Sequence, residues 1–243
     1  MTAVYQALEA RWRALGKRRD DLTVRSVACV GAHRVLLLAE LGVGARHTVA
    51  LAAGVHGDEP AGALALLTLA EEDLLDSRYA YRIWCCINPT GFERGTRENL
   101  EGADINRSFA RGGQTPEARA IVTSNRDRTF ALSIDFHEDS DANGFYCYAY
   151  GGGDLGGRVA AAVAAAGFPL QALPPVQSVP GCLTPDAKLE AASMSGLSYN
   201  LALARRAAKR ALTLETPSAL PQGDRIAMHR IATLEAIGTL RLE

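Results

Sequence analysis

Two histidines and one glutamate have the residue types and the spacing of metal ligands. His56 and Glu59 stand in the tetrapeptide His-Gly-Asp-Glu, and His137 follows much later in the chain. Two imidazoles and one carboxylate leave the fourth position of a zinc ion open for water, which is the arrangement of catalytic rather than structural zinc. The set therefore predicts one catalytic Zn2+ per chain.

The predicted secondary structure brings these ligands to one edge of a sheet. Val49–Val55 is an apolar run that predicts a buried strand, and Pro60–Leu75 predicts a helix with proline at its start. The first two ligands lie on the turn between them. A similar run, Phe130–Phe136, predicts a strand with His137 at its carboxyl end, and open α/β sheets place their sites at that edge.

A long polar segment separates the ligands. Asn88–Phe109 contains Arg94, Arg97 and Arg107 and has no apolar periodicity that predicts an element. Long loops inside compact domains tend to be functional. A guanidinium group matches carboxylates and developing oxyanions, so these arginines suggest a substrate with a carboxylate and a polarised carbonyl. The alternative is three ordinary solvated charges.

A further acidic residue ends an apolar run near the other end of the chain. In Arg210–Leu220, apolar residues lead into Glu215, which a Thr-Pro break follows. A glutamate at the end of a buried strand is costly unless it is paired or functional. Beside a metal-activated water it would serve as a general base. The alternative is a glutamate in solvent or in a salt bridge.

Length and charge bound the class of protein. The 243 residues suffice for a single α/β domain spanning 1–243. We expect a mixed, mostly central β-sheet flanked by helices on both faces. The 26 basic and 27 acidic residues give a net charge of −1, which offers no reason to expect nucleic acid or a membrane as partner. The expected partner is a small molecule.

The remaining predicted elements complete this sheet. They are an N-terminal amphipathic helix, a hairpin turning at Gly31–His33, a strand over Tyr81–Ile87, a helix capped by Thr115, and helices around Leu155–Ala166 and Ile226–Ile237.

The termini and cysteines bear on location. The first helix lacks the apolar core and cleavage site of a signal peptide, and no segment has the apolar length of a membrane span. Five cysteines form an odd set without zinc-knuckle spacing, and Cys29, Cys85 and Cys86 fall in apolar runs, so we expect them to be buried and reduced. These features predict a cytoplasmic protein.

Four segments in order resemble the zinc metallocarboxypeptidase family of the carboxypeptidase A type, above all its compact bacterial members similar to murein-peptide amidases. The segments are GVHGDEPAG, NPTGFERGTRENLEGADINRSF, DFH and TLETP, and the likeness spans Leu51–Pro217. The resemblance implies a zinc carboxypeptidase-like fold. It also implies a zinc-dependent hydrolase that cleaves an amide or peptide bond next to a free carboxylate.

The resemblance assigns the chemical roles residue by residue. His56, Glu59 and His137 match the zinc ligands, and Glu215 matches the glutamate that activates water. Arg97 matches the arginine that stabilises the oxyanion.

It also assigns the substrate contacts. Asn106 and Arg107 match the pair that clamps the substrate's terminal carboxylate, and Arg94 matches a secondary subsite arginine. Asp104 matches the carboxylate that orients the first zinc histidine. The family's mobile tyrosine has no counterpart at its usual distance from the catalytic glutamate, and the nearest candidate is Tyr199.

The chain departs from the family after the third ligand. Family members carry a small hydroxyl residue there, whereas Glu138 and Asp139 follow His137. If the strand of Phe130–Phe136 continues briefly, Asp135, His137 and Asp139 face one way and Glu138 the other; if it ends at His137, either acid could turn toward the site. One hypothesis pairs one of these acids with a substrate ammonium group, and the alternative is that they balance the loop arginines.

Two other functions stay open. The Thr-Pro after Glu215 favours the peptidase branch over the related aspartoacylase and succinylglutamate desuccinylase branch, so deacylation of an N-acyl amino acid is the second expectation. A non-catalytic metal-binding module is disfavoured by retention of Glu215 and Arg97.

Overall fold

A mixed β-sheet forms the centre of the computed structural model, which describes residues 4–31, 34–151, 153–172, 178–179, 181–183 and 198–240. Its nine strands within these residues are β1 (Leu22–Val30), β2 (Arg34–Leu41), β3 (Thr48–Ala53), β4 (Ala80–Trp84), β5 (Leu132–Asp139), β6 (Tyr146–Tyr150), β7 (Ser178–Val179), β8 (Cys182–Leu183) and β9 (Ala211–Pro217). Their order is β1-β2-β4-β3-β5-β9-β6-β8-β7. The central strands β4, β3, β5 and β9 run parallel, and their near-continuous burial is typical of parallel strands.

Helices cover both faces of this sheet. They are α1 (Val4–Arg18), α2 (Pro60–Glu71), α3 (Pro89–Arg94), α4 (Pro116–Ser124), α5 (Leu155–Ala165), α6 (Tyr199–Arg206) and α7 (Gln222–Gly238). Helices α1, α2, α5 and α7 share one apolar cluster with the sheet. Helices α4 and α6 share a second cluster with the opposite face. The predicted α/β sheet with helices on both faces is confirmed.

The arginine segment contains an element that the sequence analysis did not predict. Helix α3 begins at Pro89 because the Asn88 side chain caps it, accepting a hydrogen bond of 2.8 Å from the Gly91 N–H. It ends at Gly95, whose φ of 63° lies in the left-handed region. A single 3-10 turn, Ile105–Arg107, forms near the other end of the segment, where the Asp104 side chain accepts a hydrogen bond from the Asn106 N–H. The expectation of a segment without elements was therefore wrong at both places, because capping residues rather than apolar periodicity define these short helices.

Strand β5 is longer than its apolar run predicts. It continues to Asp139 because it pairs in parallel register with β9 as far as Pro217. His137 therefore lies inside the strand rather than after it. Successive side chains alternate between faces, so Asp135, His137 and Asp139 share one face and Glu138 takes the other. Helix α2 and strand β4 are shorter than predicted and end at Glu71 and Trp84.

Four of the five cysteines are buried. Cys29 is exposed on the edge strand β1, so its expected burial was wrong, because an edge strand has one face open to solvent. The predicted hairpin of β1 and β2 is confirmed, although residues 32 and 33 of its turn lie outside the described residues. Within the described ranges, no helix combines the length and apolar character needed to cross a bilayer.

A buried histidine predicts acid sensitivity of the fold. His229 on α7 packs against Phe136 with the two rings tilted and their centroids 5.2 Å apart, and its Nε2 lies 3.3 Å from Thr216 Oγ1. Burial, together with the positive charge of His137, lowers the pKa of His229 to about 3. An unfolded histidine has a pKa of about 6.5. The unfolded state therefore binds more protons between these two pH values, and stability falls as the pH drops through that window.

We accordingly expect His229→Phe, which keeps an aromatic ring, to lose less stability on acidification than the wild type. Between pH 7 and pH 4 the difference in the change of unfolding free energy should be about 3 kcal/mol. Urea denaturation followed by circular dichroism at both pH values measures it. Equal losses of unfolding free energy in the two proteins would show that His229 does not contribute to the acid sensitivity.

Candidate active site

His56, Glu59 and His137 meet in a buried cluster at the carboxyl edge of β3 and β5. Glu59 Oε1 lies 2.6 Å from His56 Nδ1, and Glu59 Oε2 lies 2.9 Å from His137 Nδ1. One possible ligand atom of each residue lies within 4.8 Å of the others. Three donors that converge in this way, away from water, fit a metal site. Their chemistry, with two imidazoles and one carboxylate, fits zinc.

Close backbone packing holds the ligand turn against α3. A Cβ atom on Gly57 would lie 2.0 Å from the Gly91 carbonyl carbon, so only glycine permits this approach. Two backbone hydrogen bonds tie the same segments, from Gly57 N–H to Arg97 O at 3.4 Å and from Asn88 N–H to Gly54 O at 2.7 Å. The ligand turn and the arginine segment therefore pack as one unit.

Carboxylates face the outer nitrogens of both histidines. His56 Nε2 lies 3.4 Å from Asp104 Oδ1, and His137 Nε2 lies 3.2 Å from Asp135 Oδ2. A histidine that binds metal through Nδ1 keeps its proton on Nε2, and a carboxylate there fixes the ring and its tautomer. Asp104 faces the first ligand histidine, and its role in orienting that ring stays a prediction. The sequence analysis did not assign Asp135, although strand alternation already put it on the face of His137.

The cluster is strongly polarised. Burial raises the pKa of Glu59, but His137 and His56 outweigh it and lower that pKa to about 2. Burial lowers the pKa of His137, but Asp135 and Glu59 outweigh it and raise that pKa well above its usual value. Asp104 has a lowered pKa because His56 and Arg97 outweigh its burial. The carboxylates of the cluster are thus stabilised by nearby positive charge. A divalent cation that binds here supplies this charge and displaces the protons of the histidines.

Glu215 lies one strand away from the ligands. It is in register with His137 across β5 and β9, and with Tyr146 across β9 and β6. Burial raises the pKa of Glu215 to about 8; His137 opposes this shift, and Glu59 and other nearby carboxylates add to it. A cation held by the neighbouring ligands would lower this pKa. The side chain is only partly buried, so a substrate or water can reach it.

Arg97 is the loop arginine that joins the cluster. Its Nη1 lies 3.2 Å from His56 Nδ1 and 3.8 Å from Glu59 Oε1, while its Nη2 donates a 3.0 Å hydrogen bond to Asp104 Oδ2. About 40% of its side chain is exposed, so it borders both the cluster and solvent. Arg94 is exposed at the end of α3 and is not brought into the cluster.

Asn106 and Arg107 take different positions. The Asn106 amide is buried, with Nδ2 3.3 Å from His137 Nε2 and Oδ1 accepting a 3.1 Å hydrogen bond from the Tyr199 N–H. Arg107 is exposed, and its Nη1 donates to its neighbour's carbonyl oxygen at 3.1 Å. Of the predicted clamp, Arg107 therefore has its guanidinium open to a ligand, whereas the Asn106 side chain is buried and its Oδ1 already accepts a hydrogen bond from the Tyr199 N–H.

The tyrosine assigned from the sequence lies in the core. The Tyr199 side chain is 1% exposed and packs edge-on against Phe109, with ring centroids 5.5 Å apart. Its hydroxyl would have to leave this packing to reach a substrate. Tyr146 lies opposite Glu215 in the pairing of β6 with β9, and its hydroxyl donates to Asp139 Oδ2 at 2.7 Å. The sequence carried no signal for this, because the position of β6 beside β9 is a property of the sheet order.

The two acidic side chains after His137 lie on opposite faces of the sheet. Glu138 is buried on the opposite face and pairs with Arg225 of α7, so it neither faces the site nor balances a loop arginine. Strand β5 continues and turns Glu138 to the other face, as the first of the two predicted geometries requires, so the ammonium hypothesis stays a prediction for Asp139 alone. The expectation that Glu138 balances a loop arginine was wrong, because its partner is Arg225. Asp139 stays on the face of His137, where it accepts hydrogen bonds from Tyr146 Oη and the Asp141 N–H.

Solved structures share this fold. A structure described as a candidate metallopeptidase of Shewanella amazonensis superposes with a TM-score of 0.77 at 24% identity, covering 97% of this chain and 92% of the other. A candidate metallopeptidase of Shewanella denitrificans gives a TM-score of 0.80 at 21% identity, covering 96% and 89%. A metallo-carboxypeptidase of Burkholderia cenocepacia gives 0.64 at 19% identity, covering 96% and 67%. At these identities the likeness establishes the fold.

Sequence relatives add the family. Murein peptide amidase A of Escherichia coli is 36% identical over 64 residues, and that match spans about a quarter of each protein, 26%. The model of the succinylglutamate desuccinylase/aspartoacylase catalytic domain matches residues 45–237, which include every ligand and Glu215. This match covers most of the sequence and supports a hydrolase. The chain therefore belongs to the succinylglutamate desuccinylase/aspartoacylase catalytic domain family.

Proposed function

We propose that the protein is a zinc-dependent hydrolase that cleaves an amide or peptide bond next to a free carboxylate. One observation carries the proposal: His56, Glu59 and His137 converge in a buried cluster, and Glu215 stands in register with His137 on the neighbouring strand. The family and the metallopeptidase-like fold support it.

His56, Glu59 and His137 would hold one zinc ion per chain. When bound, the ion supplies a Lewis acid that polarises the substrate carbonyl and makes water more acidic. The protein's own groups do the remaining work. Glu215 accepts a proton from the attacking water and returns it to the leaving amine. Arg97 donates hydrogen bonds to the oxygen that becomes negative when water adds to the carbonyl.

Arginines outside the cluster would bind the substrate. Arg107 offers an exposed guanidinium to the free carboxylate of the substrate. Asn106 supports this guanidinium from the buried side through its carbonyl oxygen. Arg94 would contact a more distant part of the substrate. Tyr199 is left out of this assignment because its hydroxyl is buried. A small peptide or an acyl amino acid has the required carboxylate.

Arg107→Ala should weaken acid substrates much more than their amides. Loss of one charge-assisted hydrogen-bonded contact costs about 1.5–3 kcal/mol, so kcat/KM for the acid should fall roughly 10- to 100-fold. Steady-state kinetics on a substrate and its carboxamide measure the difference. Arg119→Ala, which removes an exposed arginine from α4, is the matched control and should change neither value. Equal losses on both substrates would exclude the carboxylate contact.

Two substrate classes fit the proposal. The match to murein peptide amidase A favours a peptide. Asp139 also favours one, because it shares the face of His137 and can pair with an ammonium group, which an N-acyl amino acid lacks. The family match over residues 45–237 favours the second candidate, deacylation of an N-acyl amino acid.

A matched substrate panel separates them. Each of several amino acids is offered as the carboxyl-terminal part of a free dipeptide, its N-acetylated dipeptide, an N-acetyl amino acid, an N-succinyl amino acid and a murein peptide. Products of the zinc-loaded wild type and of Glu215→Gln are identified by mass spectrometry. Faster cleavage of the free dipeptide or the murein peptide than of the acyl amino acids supports the peptidase. Faster cleavage of the acyl amino acids supports the deacylase. A metal-loaded protein that cleaves nothing in the panel would contradict the proposal.

A further inference from the structure

Glu138 is a buried carboxylate on the face of the sheet opposite the metal ligands. Its side chain is 1% exposed. Oε1 accepts a 2.6 Å hydrogen bond from the Ala61 N–H, and Oε2 pairs with the Arg225 guanidinium, which is itself only 14% exposed. Burying a carboxylate is unfavourable unless it is paired and hydrogen-bonded. Both oxygens meet that requirement here.

These partners belong to the segments that carry the site. Ala61 lies in the first turn of α2, two residues after the ligand Glu59, and Glu138 directly follows the ligand His137. Arg225 lies in the first turn of α7, which is the next helix after the strand of Glu215. One side chain therefore joins the end of β5 to two helices, each of which follows a segment that supplies an active-site carboxylate.

Residue 138 also contacts a ligand through its backbone. Its N–H donates a 3.1 Å hydrogen bond to Glu59 Oε2, the same oxygen that faces His137 Nδ1. The side chain thus restrains the helix that starts after Glu59, while the backbone restrains the Glu59 carboxylate itself. A negative charge at the amino end of α2 is also favourable for that helix.

We propose that Glu138, held by Arg225, is a positioning residue that fixes Glu59 and His137 relative to each other at the metal centre. The inference rests on the proposed function, because it concerns the same ligands. The Glu138 side chain lies on the face opposite His137 and acts through the residues beside it. Groups that hold ligands in place typically contribute about 10- to 100-fold in metal affinity, because an ion gains most from ligands that are already in position.

A second ion pair in the same sheet provides a control. Arg82 of β4, with 3% of its side chain exposed, pairs with Glu40 of β2 and also bonds Asn125 and Ser124. Among the described residues, the hydrogen bonds of Glu40 go to Arg25 and Arg82, and the other hydrogen bonds of Arg82 go to Ser124 and Asn125, none of which belongs to the metal cluster. Glu40→Gln therefore removes a carboxylate from a buried arginine without disturbing the ligands.

The test compares Glu138→Gln, Glu40→Gln and the wild type as full chains. Zinc affinity is measured by competition with a chelator, ligand geometry by the visible absorption spectrum of the Co2+-loaded protein, and stability by the melting temperature of the metal-free protein. We expect Glu138→Gln to lose about 10-fold or more in zinc affinity and to show an altered Co2+ spectrum. Glu40→Gln should lower the melting temperature and leave affinity and spectrum unchanged.

Arg225→Met tests the same contact from the other side and decides the matter if Glu138→Gln does not fold. It should also reduce zinc affinity, whereas Arg225→Lys, which keeps the charge, should restore part of the loss. Wild-type affinity and spectrum in the Glu138 and Arg225 variants would overturn this inference alone. Equal affinity losses in Glu40→Gln would also overturn it, because the effect would then be general destabilisation. A wild type that binds neither metal would overturn the proposed function together with the inference.

Discussion

Glu215→Gln is expected to lower the rate of hydrolysis roughly 10²-fold or more while zinc stays bound. Glutamine preserves the size of the side chain but cannot accept a proton from water. Glu215 is not one of the three clustered ligands, so its replacement should spare the metal. The measurement is kcat on the best substrate of the panel, together with the zinc content of the same sample.

Glu40→Gln is the matched control for this prediction. It makes the same chemical change in strand β2, away from the cluster, and should keep kcat. Activity of Glu215→Gln within a few-fold of the wild type would remove Glu215 from the mechanism. A loss of zinc would instead mean that Glu215 supports the metal.

Removal of a single ligand should abolish both metal and activity. His56→Ala or His137→Ala leaves two of three donors, and the wild type should bind about one zinc per chain. Zinc should also raise the melting temperature of the wild type, since a ligand that binds only the folded state stabilises it. Elemental analysis and thermal unfolding with and without zinc measure both effects.

His47→Ala provides the control, because His47 lies just before β3 and outside the cluster. It should keep its zinc and the zinc-dependent rise in melting temperature. Unchanged zinc content in both ligand variants would mean that the ligand assignment is wrong.

The metal cluster was the part of the site most open to prediction. A strand, a tight turn and a helix that begins at Pro60 fix His56 and Glu59 within a few residues, so local sequence decides their geometry. The position of His137 followed from the rule that parallel strands share a carboxyl edge. Both inferences needed only local pattern and one general property of sheets.

Features that depend on distant pairing escaped prediction. The sequence left open whether β5 continues past His137, because that depends on its neighbour β9, and the partner of Glu138 is Arg225, which lies far away in sequence. The short helix α3 escaped because its cap, rather than apolar periodicity, defines it. No single-sequence pattern reports which strand lies beside another, so Tyr146 could not be connected to Glu215.

The branch of the family shows the limit of a short motif. The Thr-Pro after Glu215 favoured the peptidase branch, whereas the family that matches residues 45–237 is the desuccinylase and aspartoacylase catalytic domain. The Thr-Pro dipeptide carries information only about the end of one strand. A family match over a whole domain depends on many positions at once. The substrate panel must therefore include both peptides and N-acyl amino acids.

The contact between Gly57 and Gly91 limits how substrate specificity can be altered. Two peptide backbones touch there, and a single Cβ atom would come within 2.0 Å of the neighbouring carbonyl carbon. The segment that carries Arg94 and Arg97 cannot be exchanged as an independent module, because its first helix packs against the turn that carries His56 and Glu59. An engineer seeking a new substrate would therefore keep this glycine pair and vary residues after Gly95, where the chain has already left the contact.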